Sequence, residues 1–149
     1  MCGIFGFIGP GDTDDLTRMG RTLAHRGPDA DGIKVFPEDA AFIGHRRLSI
    51  VDLAGGAQPM TDRDNHVWVT FNGEIYNHPA LRAELAALGH VFRSDHSDTE
   101  VLIHGWKEWG TALPGRLNGM FSFAIWDTRR KTLFLARDRF GEKPLFWAR

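Results

Sequence analysis

The chain has 149 residues, 42% hydrophobic and 25% charged, with a formal net charge of −1. That length suits one domain burying roughly 68–70% of its unfolded surface, and so small a charge supplies no field to recruit nucleic acid or a membrane surface. No apolar stretch approaches the ~20 residues of a membrane span, the N-terminus lacks the basic start and apolar run of a secretion signal, and a single cysteine excludes an internal disulfide, so the cytoplasm is the expected location.

In chain order, Ile4–Ile8 reads as a buried strand broken by Gly9-Pro10-Gly11-Asp12. Thr13 is placed to cap a helix with Asp14 and Asp15 in its first turn, and Leu16, Met19 and Leu23 follow at helical spacing. His25-Arg26-Gly27-Pro28-Asp29 is a polar turn, with short strands expected near Gly32–Phe36 and Ala40–His45 and a loop at Gly55–Pro59. His66–Phe71 alternates, with Val67, Val69 and Phe71 on one face. Asn72-Gly73 then has the form of a tight hairpin turn, with Glu74–Tyr76 as the returning strand. Asn77 is placed to cap a helix carrying Leu81, Leu85 and Leu88 that stops at Gly89. Ser97-Asp98-Thr99-Glu100 has capping-box spacing and opens a helix through about Trp109. Met120–Trp126 and Thr132–Ala136 read as strands joined by Asp127–Lys131, and Phe146-Trp147 as the start of one more. Hairpins outnumber strand–helix–strand units, which favours antiparallel sheets.

Cys2 is the residue with the most chemical promise. Were Met1 removed, Cys2 would carry both a thiol and the chain's α-amine, whose pKa of ~7.7–8.0 makes it a base near neutrality. An N-terminal amine is an established activator of a nucleophile in its own residue. His25, His45 and His104 keep open a Cys–His hydrolase. The seven histidines form no HxxxH or CxxC cluster, so no metal site is expected. Asn72-Gly73 has a second reading beside the turn: a side-chain amide and a glycine N–H offer two donors at one point, as an oxyanion hole requires. Arg47 and Asp98, each ordinary alone, together make an opposite-charge pair suited to the carboxylate and ammonium of an amino acid.

Seven segments, in order, resemble the glutaminase half of glutamine-hydrolysing asparagine synthetases, and the first resembles the start of class II glutamine amidotransferases. They are Met1–Gly6, His25–Asp29, Arg47–Asp52, Asn72–Asn77, Ser97–Glu100, Gly119–Ala124 and Arg137–Gly141. The resemblance implies an α+β fold of the N-terminal nucleophile hydrolase type, a four-layer αββα sandwich of two antiparallel sheets. It implies that Cys2 attacks the glutamine side-chain amide and forms a glutamyl thioester. By the same analogy Asn72 and Gly73 hold the oxyanion, and Arg47 and Asp98 bind the α-carboxylate and α-ammonium. Glu74 and the backbone of Ile50 and Val51 line the pocket.

The resemblance also sets the expected partners and cofactors. Glutamine is the substrate, and a synthetase domain or subunit receives the ammonia; a homodimer is the expected oligomer, with no nucleic acid and no membrane. Glutamine hydrolysis needs no cofactor, while ATP and Mg belong to a synthetase domain absent from residues 1–149. The family's glutaminase domain runs some tens of residues further, so the fold is expected to be incomplete at the C-terminus. The rival expectation is a non-catalytic remnant that binds amino acid or a partner protein.

Overall fold

The computed structural model describes residues 2–48 and 57–149. These form seven strands: β1 (Gly3–Ile8), β2 (Ala30–Phe36), β3 (Ala41–Arg47), β4 (Met60–Thr61), β5 (Val67–Ile75), β6 (Gly119–Asp127) and β7 (Thr132–Arg137). The helices are α1 (Thr13–Thr22), α2 (His78–Ala87), α3 (Asp98–Trp109) and a short α4 (Leu113–Arg116). One antiparallel sheet has the order β1-β3-β2, the other β4-β5-β6-β7.

Alternation along the strands decides what each face meets. On β5 the odd residues Val67, Val69, Phe71 and Ile75 join Leu81, Leu85, Val101 and Leu102 in the core between the second sheet and its helices. Full burial of each such side chain stabilises by about 1.5–3 kcal/mol. The even residues face the first sheet, where Ala41 and Ile43 pack on Trp126, flanked by Trp68. On the far side of the first sheet, Phe5 lies against Gly20 of α1, and Arg46 Nε donates to the Gly20 carbonyl at 2.9 Å. The layers therefore run helix, sheet, sheet, helices.

Among the described residues, two hydrogen bonds tie the sheets together. Thr70 Oγ1 donates to the Gly44 carbonyl at 3.0 Å, and His45 Nε2–H donates to the Phe71 carbonyl at 3.1 Å. His45 is 1% exposed, and burial pushes its pKa down to about 4. A pKa depressed on folding means that the unfolded chain binds the proton more readily. Stability from His45 is therefore present above its ordinary value of 6.5 and is lost as pH falls from there toward about 4, by about 3 kcal/mol. His104, also lowered, adds in the same direction, whereas Asp62, Glu100 and Asp138 have depressed pKa values and act at lower pH. His45→Gln keeps a donor for Phe71 but does not titrate. Urea melts at neutral pH and near pH 4.5 should show a smaller pH-dependent loss in the variant; an equal loss would move the titrating group elsewhere.

Several local expectations are corrected. Asn72-Gly73 is no turn: neither residue has a positive φ, as a type I′ turn demands, and they pair with Ser122 and Phe121 in mid-strand. Glu74 and Ile75 continue β5 rather than returning, because the apolar alternation runs on to Ile75 and nine residues of β6 pair alongside. Asp12, not Thr13, caps α1, in a reciprocal box with Asp15. Ser97 caps α3 without a side-chain bond, and the reciprocal half of the box is absent because the Glu100 carboxylate accepts from Arg93 N, Ser94 N and Ser94 Oγ. Asn77 likewise gives no cap bond to α2; its amide bridges Arg116 and Asn118. Phe146 and Trp147 form no strand and are exposed.

Candidate active site

Cys2 immediately precedes β1, and Ile4 lies opposite His45 on β3. Stepping two residues toward the strand ends keeps the face unchanged, so Cys2 and Arg47 lie on the face of the first sheet that carries His45 toward the second. Cys2 is a free, half-buried thiol whose Sγ is 4.0 Å from the Leu48 carbonyl oxygen. Its own carbonyl accepts from Arg26 Nε at 3.2 Å, and Asp29 N donates to the Arg47 carbonyl at 3.1 Å. The His25–Asp29 turn thus braces both strand ends. Gly27 is required there, because a Cβ would run into the Arg46–Arg47 peptide.

The sheets run in step across the gap, since Gly44 meets Thr70 and His45 meets Phe71. Continuing both strands leads β3 to Arg47 and β5 to Asn72 and Gly73. Asn72 shares the face of Thr70 and so points into the gap. It is 5% exposed, and among the described residues its side-chain amide makes no hydrogen bond.

Gly73 offers its donor on a different vector. Phe71 N–H points off the β5 edge remote from β6, where Gln58 Oε1 accepts it at 2.6 Å. Two residues beyond Gly73, the Ile75 N–H points the same way and is taken by Asp98 Oδ2 at 3.0 Å. By alternation Gly73 N–H lies between them on that edge, beyond the reach of β4, which pairs only with Trp68 and Val69. A Cβ at Gly73 would collide with the Met120 carbonyl and Phe121 Cα, so only glycine allows this approach of β6.

Asp98, the first residue of α3, is thereby anchored to the end of the same strand. Burial raises its pKa, opposed by the Ile75 N–H and the nearby His78. A half-buried carboxylate of this kind has electrostatic reason to accept a cation. Glu74, also on β5, is exposed, while Ile50 and Val51 lie outside the described residues. Arg26 and Gln58, which hold the Cys2 carbonyl and the Phe71 N–H, were missed as site residues. The only sequence signal was their position in polar turns. The histidines of the Cys–His alternative are engaged elsewhere: His25 with the Thr22 carbonyl, His45 with Phe71, and His104 with His90 on the helical side of the second sheet.

A family model described as "Glutamine amidotransferase domain" matches residues 1–149. The chain belongs to the glutamine amidotransferase domain family. As such a domain it is 44% identical to "Asparagine synthetase [glutamine-hydrolyzing] 3" of Bacillus subtilis, over 100% of this chain and 25% of that protein. It is 42% identical to the Arabidopsis thaliana protein of the same name, over 98% of this chain and 25% of that one. The domain thus spans about a quarter of the length of these relatives. Its fold matches the solved glutamine phosphoribosylpyrophosphate amidotransferase of B. subtilis with a TM-score of 0.70 at 24% identity, covering 93% of this chain and 37% of that one. The amidotransferase domain therefore has the α+β sandwich of the N-terminal nucleophile hydrolases, as the sequence led one to expect. No helix among the described residues is long and apolar enough to cross a membrane.

Proposed function

We propose that this domain hydrolyses glutamine to glutamate and ammonia through a glutamyl thioester on Cys2. The observation that carries the reading is the pairing of an Asn72 amide that has no partner among the described residues with the edge-facing Gly73 N–H, on the strand that the Cys2 face of the first sheet meets. With Met1 removed, the Cys2 α-amine takes the thiol proton and the sulfur attacks the side-chain carbonyl carbon of glutamine. Asn72 and Gly73 donate to the oxygen as it becomes negative. Collapse breaks the C–N bond, and the amine's proton passes to the departing ammonia. Water, deprotonated by the same amine, then clears the thioester.

Arg47 binds the substrate α-carboxylate and Asp98 its α-ammonium, with Glu74, Ile50 and Val51 at the pocket wall. The sequence likeness to asparagine synthetases supports a synthetase domain or subunit as the ammonia acceptor, with ATP and magnesium confined to that partner. Cytoplasmic location and a homodimer belong to the same proposal. Purified protein lacking Met1 by intact mass should release ammonia from glutamine. Mature protein that binds glutamine without turnover would favour the non-catalytic remnant, and full activity with Met1 still attached would end the amine-base mechanism.

Arg47→Lys should raise KM with kcat little changed. Lysine keeps the charge but loses the planar fork that matches a carboxylate, so ground state and transition state lose the same contact. An unchanged KM would remove Arg47 from the pocket.

A further inference from the structure

Ser122, on β6, is 0% exposed, and its hydroxyl makes no hydrogen bond among the described residues. It shares the face of Trp126, four residues on, which packs against the first sheet. The hydroxyl therefore lies on the side of β6 that faces the gap between the sheets. Directly opposite on β5 stands Asn72. Cβ atoms of such a cross-strand pair are about 4.5–5.5 Å apart, within reach of two short polar side chains. An unpaired buried hydroxyl destabilises a fold, and each instance asks for an explanation.

The neighbours on that face are otherwise engaged. Thr70 gives its hydroxyl to the Gly44 carbonyl at 3.0 Å. Arg137, opposite Ser122 on β7, is turned to the carbonyls of Lys143 and Gly141. Ala124, two residues along β6, carries no polar side-chain atom. Ser122 and Asn72 are thus two polar side chains without partners among the described residues, standing side by side next to the end of the gap that holds Cys2 and Arg47.

The shape of an amide decides how they fit together. Gly73 N–H leaves β5 on the edge remote from β6, between the N–H groups taken by Gln58 and Asp98. An oxygen that meets both Gly73 N–H and the Asn72 side chain must lie toward that edge. The Asn72 NH₂ therefore leans away from β6. Oxygen and nitrogen sit on opposite arms of a planar amide, so Oδ1 is directed back toward β6 and Ser122. A hydroxyl can donate there, whereas the reversed amide would present a lone pair to a growing negative charge.

We propose that Ser122 is a positioning residue: its hydroxyl donates to Asn72 Oδ1 and holds the amide with its NH₂ toward the oxyanion. This rests on the oxyanion role of Asn72 proposed above. Ser122 touches no reacting atom and acts by selecting one of two orientations of the group that does, a support from behind that a preorganised site requires.

The test is a double-mutant cycle on the Met1-free protein, followed by ammonia release from glutamine. Ser122→Ala should lower kcat by about tenfold, the scale of one hydrogen bond, with KM little changed. Its melting temperature should not fall, because alanine replaces a hydroxyl that is unpaired in the free protein. In an Asn72→Ala background, Ser122→Ala should cost nothing more, since no amide remains to orient. Ser122→Cys, which keeps the volume with a weaker donor, should fall between serine and alanine, and it decides the matter if the alanine variant is unstable. Normal kcat in Ser122→Ala beside a disabled Asn72→Ala would overturn this proposal alone. So would a loss of the same size in both backgrounds. Normal kcat in Asn72→Ala would instead end the oxyanion reading, and this proposal with it.

Discussion

Cys2→Ala should abolish glutamine hydrolysis and leave the fold intact. Removal of a covalent nucleophile costs on the order of 10⁴-fold or more in kcat. Stability should change by less than about 1 kcal/mol, because the thiol is half-buried and, among the described residues, its polar partner is the Leu48 carbonyl at 4.0 Å. A glutamine analogue with an electrophilic side chain should label Cys2, the single thiol of the chain, and the Ala variant should take up none. Turnover that survives in the folded Ala variant would refute the thioester route outright. Loss of both activity and thermal stability would instead mean that Cys2 is needed to seat β1.

Asn72→Ala should lower kcat by about 10²–10³, equivalent to roughly 2.7–4 kcal/mol of transition-state stabilisation. KM should move far less, because the charge that the amide meets develops after attack. The structure makes this a cleaner test than a hairpin turn would allow. Asn72 sits in extended backbone without a positive φ, so alanine fits its conformation. Its amide makes no hydrogen bond among the described residues, so removing it leaves no stranded partner there. A stable Asn72→Ala protein with near-normal kcat would remove the oxyanion role. Asn72→Asp serves as the companion, since it keeps the shape but replaces a donor by an acceptor. It should be at least as inactive as the alanine variant.

The sequence by itself determined the features set by short-range physics. Alternation placed β5 as far as Phe71, helical spacing placed α1 and α2, and the excess of hairpins pointed to antiparallel sheets. The position of Cys2 next to the initiator pointed to the nucleophile that we propose, because the chemistry of an α-amine depends on nothing distant. Tertiary structure alone decided the rest. Asn72-Gly73 carries the strongest short hairpin signal, yet it lies in mid-strand because β6, arriving some fifty residues later, pairs with it and leaves room only for glycine. Ser97-Asp98-Thr99-Glu100 has the spacing of a capping box, yet Glu100 goes to Arg93 and Ser94 and Asp98 to the end of β5. Gln58 and Arg26 became visible as site residues only when the fold brought loops onto a strand edge and a strand end. Side chains with several possible partners have no assignment in one dimension; packing chooses among them, since most buried donors and acceptors are satisfied by whichever group the fold delivers.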